Sequence, residues 1–223
     1  MLYLFLQPQR LGDAFWQTAL PALSAGRRQK ALRLRRASDR TLSAVAYLLL
    51  RWGLYREYGV EGIPACAEGP PGKPRLINTP AFFSLSHCPQ AVACAVAAEE
   101  IGVDVDAWDA FSPSALEVGM LRRSFLPHEQ EAILAASQPE HTACRLWTAK
   151  ESVCKYTGQG MDAAFPAALR RTDVQIDAYP LDAHRLSLAV CRRREKQRPP
   201  LPWQEITPHM LYNMLETWGK NER

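Results

Sequence analysis

Gly102-Val103-Asp104-Val105-Asp106 is the stretch from which the rest of the chain can be read. Acidic and apolar residues alternate there with the period of a strand, so Asp104 and Asp106 leave it on the same face. Two carboxylates held that close disfavour one another unless positive charge stands between them. A divalent cation meets that need. An oxygen-only donor set suits magnesium, which combines a few carboxylates with the phosphates of a substrate. Further along, Trp147-Thr148-Ala149-Lys150-Glu151 offers Glu151 as a third carboxylate. An Asp-x-Asp strand end also occurs as two solvated surface acids, and it is the remainder of the chain that favours the metal reading.

Working outward, the spacing predicts a helix from about Glu140 to Tyr156 that stops at Gly158-Gln159-Gly160. On it Trp147, Glu151 and Lys155 recur every four residues and share one face, with Lys150 beside them. Lysines are point-charge partners for phosphate oxygens, so Lys150 and Lys155 flank the carboxylate usefully. Upstream, Phe82 to His87, Ala91 to Ala97 and the Asp104 strand read as an antiparallel hairpin unit of short strands. Ser86 and His87 end the first of these and can offer a hydroxyl and an imidazole to a phosphate. Residues 62 to 80 are rich in Gly and Pro and read as a functional loop.

The flanks are ordinary. Met1 to Gln7 reads as a buried first strand, and Asp13 to Leu23 as a weak helix interrupted by Pro21. Ser38 reads as the N-cap of a long helix carrying Leu42, Val45, Ala46, Leu49 and Leu50 to a C-cap at Gly59. Ser112-Pro113 starts a helix reaching about Arg123, and Pro127-His128-Glu129 another reaching Ala136. Strands are predicted at Thr172 to Ile176 and Arg185 to Val190. A last helix, Pro208 to Trp218, sets Met210, Met214, Leu215 and Trp218 on a core-facing side.

With 223 residues, 47% hydrophobic and 22% charged, the chain can bury a proper core and has the composition of a soluble globular protein. No apolar run has the length of a membrane span. The six cysteines are scattered without a Cys-x-x-Cys, which points to free thiols and a cytoplasmic location. A net charge of +4 hides an uneven distribution. Arg27, Arg28, Lys30, Arg33, Arg35, Arg36 and Arg40 form a patch suited to a polyanion or a phosphorylated ligand. A second run, Arg192 to Arg198, precedes Pro199-Pro200 and reads as a solvated loop.

These residues carry a resemblance. Gly102 to Asp106, then Trp147-Thr148-Ala149-Lys150-Glu151-Ser152-Val153-Cys154-Lys155 and Gly158-Gln159-Gly160, resemble the two signature motifs of the 4′-phosphopantetheinyl transferases. Those motifs read G-[IV]-D-[IV]-[ED] and W-x-x-K-E-x-x-x-K. Phe83 to His87, Gly72-Lys73-Pro74, and Arg27, Lys30 and Arg40-Thr41 are similar to further segments of the long, surfactin-synthetase-activating (Sfp-like) type. Asp106 stands where that type usually has glutamate, Ser84 where it has asparagine, and Cys88 where serine is common.

The resemblance implies an α+β fold of two similar halves related by a pseudo-twofold, with the site between them. The halves are expected at residues 1–108 and 109–223. It implies a monomeric enzyme that moves the phosphopantetheine arm of coenzyme A to a serine of an apo acyl or peptidyl carrier protein, releasing adenosine 3′,5′-bisphosphate. Asp104, Asp106 and Glu151 would hold Mg2+, and Glu151 would act as base on the serine directly or through a metal-bound water. Lys155 would touch the pyrophosphate, with Lys150 nearby. Arg27, Lys30, Arg40, Thr41, Lys73, Ser86 and His87 would contact the nucleotide end of coenzyme A. No nucleic acid or membrane partner is expected.

Two other readings use the same residues. The acids could serve a magnesium-dependent nucleotide phosphohydrolase or nucleotidyl transferase that needs no carrier. The patch from Arg27 to Arg40 could bind nucleic acid, with strong salt dependence.

Overall fold

The computed structural model describes residues 1–69, 73–112, 114, 116, 118–162 and 164–221. In chain order, β1 (Leu2–Leu6), α1 (Asp13–Ala19), α2 (Ala25–Leu32) and α3 (Ala37–Tyr58) come first. Then follow β2 (Cys66–Glu68), β3 (Pro74–Leu76), β4 (Phe82–Cys88), β5 (Ala91–Ala97) and β6 (Ile101–Ala107). Next are α4 (Val118–Ser124), α5 (Pro127–Ala135), α6 (Pro139–Thr157), β7 (Val174–Leu181) and β8 (Leu186–Arg193). The chain closes with β9 (Trp203–Glu205) and α7 (Pro208–Asn221). The fold is α+β, as expected. Of the elements expected from sequence, the helix start at Ser112-Pro113 and the Gly72 end of the Gly-Lys-Pro loop involve residues outside those described.

Contacts group Met1–Glu99 with Pro202–Arg223 in one compact unit, and Glu100–Leu201 in a second. The expected line after residue 108 therefore falls earlier, before β6, and the last helix returns to the first unit. In that unit the sheet order is β4-β5-β1-β9. β4 and β5 form an antiparallel hairpin, Phe82 opposite Ala97 and Cys88 opposite Ala91. β1 runs antiparallel to β5 and parallel to β9. α3 lays Leu42, Val45, Leu48, Leu49 and Leu54 into one core with Tyr3 and Phe5 of β1, Val92 and Val96 of β5, and Leu211, Met214 and Leu215 of α7. Gly59 takes a left-handed φ of 64° and closes α3, as its sequence predicts. At the other end the cap is Arg36 rather than Ser38. Ser38 lies inside the first turn with its hydroxyl toward Asp39.

The second unit is a three-stranded antiparallel sheet, order β6-β8-β7, with α6 packed on it. The expected hairpin unit is thus cut short. β5 has β4 on one edge and β1 on the other, so no edge is left for β6, which pairs with β8 instead. Asp104 stands opposite Ala189 and Asp106 opposite Ser187. The second basic run also differs from expectation, because β8 extends through Arg193 and carries Arg192 inside. Arg192 Nη2 donates to Asp177 Oδ2 and, at 2.7 Å, to the Pro199 carbonyl. A buried guanidinium needs a buried carboxylate. Asp177 on β7, two residues along from the partner of Arg192 in the register, supplies one.

Candidate active site

Strand period places the acids, and a glycine brings the helix to them. A Cβ on Gly102 would fall 2.0 Å from the Ser152 carbonyl oxygen and 2.4 Å from the Tyr156 nitrogen. Only a residue without a side chain lets the backbone of β6 approach the backbone of α6 so closely. The contact lies one residue beyond Glu151 and Lys155 on the helix, and two residues before Asp104 on the strand. The glycine of the first motif is thus the joint between the two motifs.

Asp104 is 4% exposed. Its Oδ1 accepts from Lys155 Nζ at 2.6 Å, and the same ammonium lies 3.6 Å from Glu151 Oε2. Asp106 is half-buried, and its Oδ1 accepts from the Ala107 N–H at 2.8 Å. Burial pushes the Asp106 carboxyl up to about 6. The Ala107 N–H opposes that rise, the charge on Asp104 adds to it, and Lys155 opposes it again. Glu151 is raised by burial first and by Asp104 and Asp106 after it, with Lys155 opposing. The three acids therefore feel one another's charge, and Lys155 supplies positive charge in their midst.

Among the described residues, no three His, Cys, Asp or Glu side chains are arranged as a ready metal cluster. The test of the expected Mg2+ is therefore chemical. The group comprises three carboxylates and one ammonium, all hard oxygen donors apart from that cation, and burial together with mutual repulsion disfavours its charge. Such a set suits a hard divalent ion. Asp106 already gives one oxygen to a backbone N–H, so it has less to offer than Asp104 or Glu151.

Lys150 departs from expectation. It is completely buried, and its ammonium donates to Glu129 Oε2 at 2.6 Å, the Pro166 carbonyl at 2.6 Å and the Ser124 carbonyl at 3.0 Å. Three donors meet three acceptors, which leaves none for a phosphate. The ammonium also lies over the rings of Phe125 and Phe165. Burial lowers its basicity, and Glu129 offsets part of that fall. Trp147 packs against Phe111 and Phe165 at centroid distances of 5.7 and 5.0 Å. Glu129, an acid in the first turn of α5, is 5% exposed. It also accepts from the Leu126 N–H at 2.7 Å.

The residues expected to meet coenzyme A lie in the first unit. Arg27 is on α2 with Ser24 as N-cap. Its Nη1 reaches Ser43 Oγ at 3.5 Å, and its guanidinium lies 5.4 Å from the Tyr47 ring centroid. Burial lowers its basicity. Lys30 is exposed on the same helix, and Arg40 Nε donates to the Leu34 carbonyl at 2.9 Å. Thr41 and Lys73 are half-buried, Lys73 just before β3. Ser86 is buried and His87 exposed, because successive residues of β4 point to opposite faces.

The family model of the 4′-phosphopantetheinyl transferase superfamily matches residues 100–199, which contain the whole acidic group and its lysines. That stretch of the chain is similar to this superfamily. The 4′-phosphopantetheinyl transferase Sfp of Bacillus subtilis (strain 168) is 29% identical over 169 residues, covering 73% of each chain. The 4′-phosphopantetheinyl transferase psf-1 of Bacillus pumilus is 27% identical over 194 residues, covering 78% of this chain and 80% of the relative. Another 4′-phosphopantetheinyl transferase of Bacillus subtilis is 28% identical over 147 residues, and the match spans a little under two thirds, 63%, of its length. Over most of its length the chain is thus similar to Sfp and psf-1.

Proposed function

We propose that this protein is a monomeric, magnesium-dependent 4′-phosphopantetheinyl transferase. It moves the phosphopantetheine arm of coenzyme A to a serine of an apo acyl or peptidyl carrier protein and releases adenosine 3′,5′-bisphosphate. The observation that carries the reading is the joining of Asp104, Glu151 and Lys155 by one short ion-pair network, with Asp106 within electrostatic reach. The family match and the names of the relatives support it.

In this reading Asp104, Glu151 and Asp106 hold Mg2+, which when bound neutralises charge on the phosphates. Glu151 takes the proton of the attacking serine hydroxyl. Its raised pKa brings it nearer to neutrality, where a carboxylate is a more effective base. Lys155 is long enough to turn from Asp104 to a phosphate oxygen and bring positive charge to the leaving group. Arg27, Lys30, Arg40, Thr41, Lys73, Ser86 and His87 contact the nucleotide end of coenzyme A. Lys150 has no phosphate role.

Incubation with coenzyme A, Mg2+ and a panel of apo carriers, followed by mass spectrometry, tests the activity. A phosphopantetheine-sized gain on a carrier is expected. Its loss to background in Asp104→Ala and Glu151→Ala is expected as well, with thermal midpoints close to the parent. No gain on any acyl, peptidyl or aryl carrier overturns the reading.

A further inference from the structure

We propose that Glu129 and Lys150 act together as positioning residues for Glu151: the buried pair fixes the turn of α6 from which Glu151 meets the acids of β6. The inference rests on the reading of Glu151 as metal ligand and base. The turn 150–152 is gripped from two sides. On one, Ser152 and Tyr156 lie against the backbone of Gly102. On the other, Lys150 is tied to three separate elements: the Ser124 carbonyl at the end of α4, Glu129 in the first turn of α5, and the Pro166 carbonyl in the 3-10 helix Phe165–Arg170.

Glu129 is itself held, because the same oxygen that meets Lys150 accepts the N–H of Leu126 at the head of α5. A pin set in one helix and anchored in three others restricts rotation and sliding of that turn. Glu151, the next residue, changes direction with any such rotation. Nothing in the chemistry of the acids requires this particular pair, and a merely stabilising core could have used apolar side chains there. The choice of a fully satisfied polar pin gives directional bonds where apolar packing would give none.

The test compares Glu129→Gln, Lys150→Met and the double variant with the parent. Each single change leaves one buried charge without its partner and is expected to lower the thermal midpoint. The double variant removes both charges and is expected to recover much of that loss. Positioning predicts a different pattern for function. All three variants, the double included, lose tenfold or more in kcat with KM for coenzyme A within twofold. All three also bind Mn2+, followed by electron paramagnetic resonance without coenzyme A or carrier, several-fold more weakly.

A role in stability alone predicts that kcat and Mn2+ affinity recover with the midpoint. A double variant that is stable and within twofold of the parent in both overturns the proposal. If the parent shows no transfer at all, the proposed activity fails. The Mn2+ affinities then decide the positioning role independently.

Discussion

Each unit sets a long helix on a sheet, and each uses a glycine at the joint, but in opposite ways. In the first unit the glycine is on the helix. Gly53 of α3 faces the side chains of Val96 and Tyr3, where a Cβ would come within 2.8 Å of Val96 Cγ2 and 2.9 Å of Tyr3 Cε2. In the second the glycine is on the strand, and Gly102 faces the helix backbone itself. An interface made of side chains adjusts through rotamers, whereas one made of backbone cannot. The first joint is held by apolar burial, with Leu48, Leu49, Leu50 and Leu54 all fully buried. The second leaves room for polar side chains to meet at its margin, and Asp104, Glu151 and Lys155 meet there. A close backbone contact turns a packing surface into a place where polar groups are held in register.

The difference can be broken first at Gly102. Gly102→Ala puts a methyl group at 2.0 Å from a carbonyl oxygen, and relief requires β6 and α6 to move apart. The expected cost is about 3 kcal/mol or more, at or beyond the usual range for overpacking. Urea unfolding followed by circular dichroism measures it, and transfer activity is expected to vanish with the contact. A variant of unchanged midpoint and activity would mean that the joint yields and does not set the site. Leu49→Ala tests the other joint. It removes a fully buried side chain from α3, and a loss of about 2–4 kcal/mol is expected. The acidic group is untouched, so kcat measured well below the midpoint is expected to stay within twofold.

The same contrast explains what was legible in the sequence. Helices with regular apolar spacing and a terminal glycine could be placed within a residue or two, as α6 and the C-terminal end of α3 show. The shared face of Asp104 and Asp106 followed from strand period alone. Pairing was less legible, because an alternating pattern does not name its partner. β6 reads like a continuation of the β4–β5 hairpin and joins β8 instead. Lysines five apart on one helix look equivalent in a sequence. Yet Lys150 is fully buried with three acceptors, while Lys155 keeps partial exposure and meets the carboxylates. Glu129 was invisible as its partner, since only burial shows that an ammonium needs a counter-charge. Arg192 within a run of basic residues misled for the same reason.

Gly53→Ala sharpens the comparison because two effects oppose each other. In the middle of α3, alanine is favoured over glycine by about 1 kcal/mol of helix propensity. Against this, the new methyl meets Val96 Cγ2 and the edge of the Tyr3 ring. Val96 can turn its methyl aside, but Tyr3 is held by its hydroxyl, which donates to Glu57 Oε1 at 2.8 Å. The clash therefore costs somewhat more than one rotamer change, on the order of 1–2 kcal/mol. The net is a destabilisation of about 1 kcal/mol or less, which shifts the thermal midpoint by roughly 2–4 °C in a chain of this size. Activity at lower temperature is expected to match the parent. A loss as large as that of Gly102→Ala would show that the side-chain joint is as stiff as the backbone one, and the distinction between the two units would fall.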